Sequence, residues 1–246
     1  MIDANAIRLS YGTPTGRLLV LKGLSIHCET GQITSIVGPS GCGKTTLLNV
    51  LAGLDSQDNG SVTVEGKVGY MMQDALLLPW RTLAENASLG VEVINGGTRH
   101  NREVLNKYLS AFDLSQFSGI YPGAASGGMK QRVALIRTLL TQPSVMLLDE
   151  PFTSLDFDVK LKIQRFLIDY HMKHSTTLLI VTHDIEDAIA LSDTVVVLSD
   201  RPATVKTVIP IDIGFARHDP IQARKSPLFT EYFTHIWDEI KYLDEE

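Results

Sequence analysis

The stretch Gly38 to Thr45 reads GPSGCGKT and stands between an apolar run, QITSIV, and an apolar run of different period, TLLNVLAGL. Three glycines allow the backbone to turn tightly and to approach a ligand with no Cβ in the way. The spacing G-x-x-x-x-G-K-[ST] is complete, and its successive N–H groups point inward as an anion nest. The helix expected to start near Gly43 adds the positive end of its dipole. In this arrangement Lys44 supplies a point charge for β- and γ-phosphates, and Thr45 offers a hydroxyl to Mg²⁺. Gly38, Pro39, Ser40, Gly41, Cys42, Gly43, Lys44, Thr45 and Thr46 are therefore the expected phosphate contacts. A redox role for Cys42 has little to support it, because a small side chain suits a tight turn.

A phosphate cradle needs a sheet behind it, and the rest of the chain supplies one. AIRLSY, LSIHC and QITSIV alternate as strands do, and ITSIV is apolar enough to be buried on both faces. TLLNVLAGL then takes helical spacing, with Leu47, Leu48, Leu51 and Leu54 expected on one side. SVTVEG and KVGYMM read as two short strands. Thr82 to about Leu140 is mainly helical, with a break at IYPGAASGG. SVMLLD, TTLLIVTH and TVVVLS read as strands, with LKIQRFLIDYHMKH and DIEDAIALS as helices between them. Strands that alternate with helices predict a parallel sheet covered on both faces. After Arg201 there is room for a two-residue strand-like run and a helix, but not for a second domain.

Composition narrows the function. The chain has 246 residues with a net charge of −6, and so lacks the basic footprint of a general nucleic-acid binder. Its two cysteines form no disulfide framework, which points to a reducing compartment. MIDANAIRLSYG has no leader pattern, and no window reaches the roughly 18 apolar residues of a membrane span. Work at a membrane would therefore require docking on another protein.

SVMLLDEP puts two carboxylates at the end of a buried strand. Asp149 is placed to hold Mg²⁺ and Glu150 to polarise the water that attacks a γ-phosphate; the alternative is an ordinary turn before Pro151. Phosphoryl transfer needs mainly positioning and charge neutralisation, so these few groups suffice. His171 and His174 stand at i, i+3, but no third ligand is evident, and a solvated helix face accounts for them.

Ser126, Gly127 and Gly128, in ASGGMKQRVALIRTLL, look like a second helix start suited to an anion. A chain with one complete cradle needs another only to cover a phosphate held by a second molecule. At these residues the sequence resembles the ABC transporter ATPases, from about Ile2 to Ser199. Their signature reads LSGGQ or LSGGMRQR; here Ala125 replaces the leading leucine, which leaves the serine and glycines but puts the rate in doubt. The resemblance implies further roles. Gln73, in GYMMQD, matches the glutamine that senses Mg²⁺ and the γ-phosphate. Ser154-Leu155-Asp156 matches the loop that contacts the opposite subunit. His183, in IVTHD, matches the switch histidine. Tyr11, in LSYG, matches the aromatic on which adenine stacks, although an edge-strand aromatic reads the same.

The implied fold is α/β: a P-loop NTPase with a RecA-like parallel sheet core, an N-terminal antiparallel β subdomain and an α-helical subdomain. The expected organisation is one ATPase domain over 1–246. Its core is at about 1–73 and 143–210, its helical subdomain at 74–142 and a short helical tail at 211–246. One cradle and one signature imply that two copies pair head to tail, with ATP and Mg²⁺ at each seam. MMQDALLLPWRTLAEN, HDIEDAIALSDTVVVLSDRP and the tail resemble the ATPases of nitrate, sulfonate and taurine importers. That resemblance implies a separate integral membrane permease, an extracytoplasmic solute-binding protein acting indirectly and no nucleic acid. It also implies a peripheral position on the cytoplasmic face of a bacterial cell membrane. Leu78, Pro79 and Trp80 have two readings, packing within the helical subdomain or forming a groove for a permease helix. The alternatives in function are a soluble, non-transport ABC ATPase and an exporter ATPase. Repair proteins of the soluble type carry a long coiled-coil insertion, and translation factors carry two ATPase units; neither is present.

Overall fold

The computed structural model describes residues 1–14, 16–96, 102–214 and 219–241. In chain order its elements are β1 (Ile2–Thr13), β2 (Gly16–Cys28), β3 (Ile33–Val37), α1 (Lys44–Leu51), β4 (Asn59–Val64), β5 (Val68–Met71), α2 (Leu83–Ile94), α3 (Arg102–Ala111), α4 (Gly127–Leu140), β6 (Val145–Asp149), α5 (Phe157–His174), β7 (Thr177–Val181), α6 (Ile185–Leu191), β8 (Thr194–Leu198), β9 (Val205–Pro210), α7 (Pro220–Ala223) and α8 (Pro227–Lys241).

Two sheets result. The larger runs β5-β6-β7-β3-β8-β9. Its strands are parallel except β9, which pairs antiparallel with β8. The smaller is antiparallel, in the order β2-β1-β4. Every residue of β3, β6 and β7 is buried. This is why those runs are mainly apolar rather than alternating, with Thr34, Ser35, Asp149 and Thr177 as buried polar exceptions.

The pleat divides these strands between two cores. Met146 and Leu148 of β6, with Leu178 and Ile180 of β7, join the helical layer around Phe112, Leu135 and Ile163. Val145 and Leu147, with Leu179 and Val181, face the other way, onto α1 and the antiparallel sheet. Successive side chains on a strand point to opposite faces, so one apolar run serves both layers. Each fully buried side chain such as Phe112 contributes about 1.5–3 kcal/mol by leaving water. A third core joins Val195 and Val197 of β8 to Ile209, Ile211, Phe229 and Ile236.

Three sequence expectations change. The helix after the cradle stops at Leu51, because Gly53 takes φ 72°, and Leu54 lies beyond it, 57% exposed. Glycine at positive φ is a common helix stop, and here it outweighs the leucine period. α5 starts at Phe157, a turn earlier than its apolar period indicated. The strand after Arg201 is β9, six residues long rather than two, since pairing with β8 satisfies its backbone. Residues 215–218 and 242–246 of the expected tail lie outside the described residues. His171 donates from Nδ1 to the carbonyl of Thr176 at 2.7 Å, and the His174 ring lies 4.5 Å from that of Tyr170.

Candidate functional site

β3 ends at Val37 and α1 begins at Lys44, so Gly38 to Gly43 make the whole turn between them. Gly43 takes φ 125°, and a Cβ there would stand 2.8 Å from Val20 Cγ1 of the antiparallel sheet. Only glycine fits this junction. Over the turn opens a hollow of about 580 Å³, walled by Ser40, Gly41, Gly43, Lys44, Thr45 and Thr46. Tyr11, Gln73, Asp149, Glu150 and His183 complete it. Residues from five separate stretches of sequence thus meet at one end of the parallel sheet.

Gly38, Pro39 and Cys42 do not line the hollow. Lys44 Nζ donates to the carbonyls of Gly38 and Pro39, each at 2.8 Å. The ammonium thus holds the turn closed on itself. Cys42 is buried in the core beside Leu198, and burial pushes its thiol pKa up. That environment suits packing, not reactivity.

Thr45 Oγ1 donates to Asp149 Oδ2 at 2.7 Å. The other oxygen, Oδ1, is buried with no hydrogen-bond partner. Burial raises the carboxyl of Asp149 above the usual carboxylate range, against the pull of Thr45. A buried carboxylate oxygen without a partner is rare and costly. A hard cation that prefers oxygen ligands satisfies it, and the threonine hydroxyl and Gln73 at the same hollow fit such a cation.

Glu150 follows directly and is held on all sides. Its Oε2 lies 2.9 Å from His183 Nδ1 and accepts from Thr153 Oγ1 at 3.0 Å. Its N–H donates to the Val181 carbonyl at 2.9 Å, and its own carbonyl accepts from Gln131 Nε2 at 2.9 Å. Its φ is +49°, a left-handed conformation for a residue with a side chain. Such a backbone costs about 1–3 kcal/mol and persists where its surroundings over-determine it. The Tyr11 hydroxyl donates to Asp55 Oδ2 at 2.7 Å, which fixes the ring at the mouth of the hollow.

Ser126, Gly127, Gly128 and Asp156 lie elsewhere. With Arg132 and Ser154 they line a separate hollow of about 290 Å³. Ser126 caps α4, its Oγ accepting from the Met129 N–H at 3.2 Å. Gly128 must be glycine, because a Cβ would stand 2.6 Å from the Ser154 carbonyl oxygen. Ala125 still packs against the helical core despite its small size.

Trp80 is 71% exposed at the rim of a third hollow, about 560 Å³, with Arg81, Glu85, Glu92 and Leu105. Leu78 and Pro79 do not line that hollow. Leu78 is tied to the buried Asn86, whose Oδ1 accepts from the Leu78 N–H at 2.7 Å.

Several residues at these places carry no local signal. Leu18, Val20, Val181 and Arg201 also wall the main hollow. Leu18 stands there because β2 pairs it with Tyr11, and a pairing register is not written in either strand alone. Beside His183 lies a buried charged cluster. Lys160 Nζ donates to Asp184 at 2.8 Å and to Asp187 at 3.0 Å, and Arg224 Nη2 donates to Asp187 at 2.7 Å. Burial and the charge of Asp184 push the Asp187 carboxyl up. Burial acts on Asp184 too, but the Lys160 ammonium, the Asp187 N–H and the charge of Arg224 together outweigh it and hold that carboxyl down.

The sequence profile of the family described as "ABC transporter" matches residues 21–153, more than half of the chain. The chain is 40% identical over 216 residues to the "Aliphatic sulfonates import ATP-binding protein SsuB 1" of Pseudomonas syringae, covering 86% of this chain and 89% of that protein. It is 35% identical over 233 residues to the "Nitrate import ATP-binding protein NrtD" of Synechocystis, covering 90% and 88% respectively. Among solved structures, the dimeric post-hydrolysis state of the ATP-binding cassette MJ0796 bound to ADP and Pi matches with a TM-score of 0.77. That match has 26% identity and covers 87% of this chain and 100% of that one.

Proposed function

This chain belongs to the ABC transporter ATP-binding family and hydrolyses ATP on a P-loop NTPase fold; from that premise we propose that it is the ATPase subunit of an importer, paired head to tail with a second copy. The carrying observation is that its two phosphate-suited hollows share no residue. Lys44, Glu150 and His183 belong to one, and Ser126 to Gly128 with Asp156 to the other. Neither carries both sets of residues. Two facing copies complete both.

In that pair each ATP lies between Lys44 of one copy and Ser126 of the other. Adenine stacks on Tyr11. Lys44 leaves the carbonyls of Gly38 and Pro39 and takes the β- and γ-phosphates, while the N–H groups of the turn and of α1 hold the phosphate oxygens. Thr45, Asp149 and Gln73 are the residues that would hold Mg²⁺, which when bound neutralises charge on the phosphates. Glu150 orients a water on the γ-phosphorus. The water oxygen bonds to phosphorus as the bond to the β–γ bridging oxygen breaks. Glu150 Oε2 takes the proton, and ADP and phosphate result. His183 and Thr153 keep the carboxylate aimed, and His183, 65% exposed, is free to meet the γ-phosphate as the seam closes. Asp156 stands at the seam with the partner.

Binding closes the pair and hydrolysis reopens it. An integral membrane permease converts that motion into uptake, supplied by an extracytoplasmic solute-binding protein. The names of the sulfonate and nitrate relatives support the importer reading and a small solute of the nitrate, sulfonate or taurine type or a related one. Among the described residues no helix is long and apolar enough to cross a membrane, so the proposed position is peripheral, on the cytoplasmic face of a bacterial cell membrane. The exposed Trp80 and its hollow are the proposed seat of a permease helix.

The test is capture of the tagged chain from detergent-solubilised native membranes, with mass spectrometry of what accompanies it. A multi-span permease is the expected companion. Soluble partners alone would overturn the importer reading in favour of a non-transport ABC ATPase.

A further inference from the structure

We propose that Gln131 is a positioning residue for Glu150, and that through it the signature helix of each chain aims the base of that chain's own cradle. The proposal rests on the head-to-tail reading above. Gln131 stands in α4, five residues after Ser126, and is only 6% exposed. Its Nε2 donates to the Glu150 carbonyl at 2.9 Å, in a buried bond between residues 19 apart in sequence.

That bond completes a clamp. The peptide group before the Glu150 Cα is fixed by the Val181 carbonyl, and the carbonyl after it is held by Gln131 at 2.9 Å, with only a longer bond of 3.5 Å from the Thr153 N–H beside it. Between the two, Glu150 is kept at φ +49°. An ordinary residue released from one side relaxes toward negative φ, and its carboxylate then swings away from His183 and Thr153. β7 provides one jaw and the signature helix the other.

The same helix is tied to the turn after Glu150 at a second point. Gly128 packs so closely on the Ser154 carbonyl that no side chain fits. Ser126 to Gly128 and the Glu150 turn therefore move together. In a head-to-tail pair Ser126 to Gly128 sit over the partner's ATP, while Glu150 serves the ATP of its own cradle. Seating the helix on one nucleotide thus sets the base that takes the proton from the water attacking the other. A short buried bond at one end and a close backbone approach at the other make a contiguous two-point link.

The experiment is a double-mutant cycle on the purified chain with ATP and Mg²⁺. Gln131→Met keeps the side chain's length and removes the donor. It is expected to lower kcat by ~100-fold, the scale of a misplaced catalytic group, with KM for ATP changed by less than about twofold. In a Glu150→Gln background the same substitution is expected to leave the residual turnover unchanged within about twofold, because its only route to catalysis is already removed. ATP-driven dimerisation of the double variant should match that of Glu150→Gln. A kcat within twofold of the parent for Gln131→Met overturns the proposal. An equal proportional loss in both backgrounds also overturns it, by making Gln131 a structural part of the helix. Should Gln131→Met fail to fold, Gln131→Leu, which also removes the donor without adding a charge, is read in the same cycle by the same criteria. Normal turnover by Glu150→Gln alone would instead defeat the assignment of the base itself, whatever Gln131 does.

Discussion

The two hollows are built from different materials. The cradle hangs from β3, β6 and β7, strands buried along their full length. Its key groups are charged and already engaged: Lys44 with two carbonyls, Asp149 with Thr45, Glu150 with His183. The signature hollow hangs from the first turns of α4 and α5 and the bend between β6 and α5, and is walled by Ser126, Gly127, Gly128 and Ser154 together with Arg132 and Asp156. A site held by a buried sheet can carry strained, charged groups, because the sheet resists their relaxation. At the signature hollow the neutral Ser126, Gly127 and Gly128 stand at the helix start, and Arg132 donates to the carbonyls of Gly128 and Phe112. This hollow moves with its helix and so suits closure over a neighbour's ligand.

The sharpest way to break this contrast is Glu150→Gln. Turnover should fall by roughly 10²- to 10⁴-fold, the worth of a positioned base, while an ATP-bound dimer accumulates in light scattering. Turnover near the parent's value would remove chemistry from the cradle side. Next is Lys44→Ala. Losing charge-assisted bonds worth about 1.5–3 kcal/mol should weaken ATP binding by roughly tenfold to a hundredfold in calorimetry; unchanged affinity defeats the cradle.

Gly128→Ala probes the other side. The added carbon meets a backbone carbonyl at 2.6 Å and the helix must shift. Overpacking of about 1–3 kcal/mol should lower turnover by about tenfold, while nucleotide binding to the single chain stays within twofold. Loss of binding to the single chain would mean that the two hollows are not separate. The smallest effect is expected at Glu92→Gln, which breaks the half-exposed Arg81–Glu92 pair at 2.6 Å. Stability should change by less than about 1 kcal/mol in chemical denaturation, and a larger loss would show a stiffer helical layer than the contrast allows.

Much of this was legible because it is local. Gly38 to Thr45 announces its turn through residue types that only such a turn needs. Uninterrupted apolar runs such as VMLLD and TLLIV mark strands buried on both faces, with the acidic pair at the end of one. What escaped is what two distant segments create together. Lys44 gripping its own turn, and Glu150 at positive φ, leave no mark in composition or period. Leu18 reaches the hollow only through the register of β2 on β1. Gln131 and Arg224 act on partners 19 and 37 residues away, and no periodicity encodes such pairs. Leu54 misled because the leucine period runs past the glycine that ends the helix.

The two-fold arrangement proposed for the pair also limits how far assembly can go. In the pairing proposed above, a chain presents one donor face and one acceptor face and engages the same neighbour with both. Each contact is repeated by symmetry, so a closed pair leaves nothing unmatched. A third chain finds no vacancy. In that proposed arrangement two copies are a terminus, and the subunit would count to two without any separate device to stop it from forming a filament.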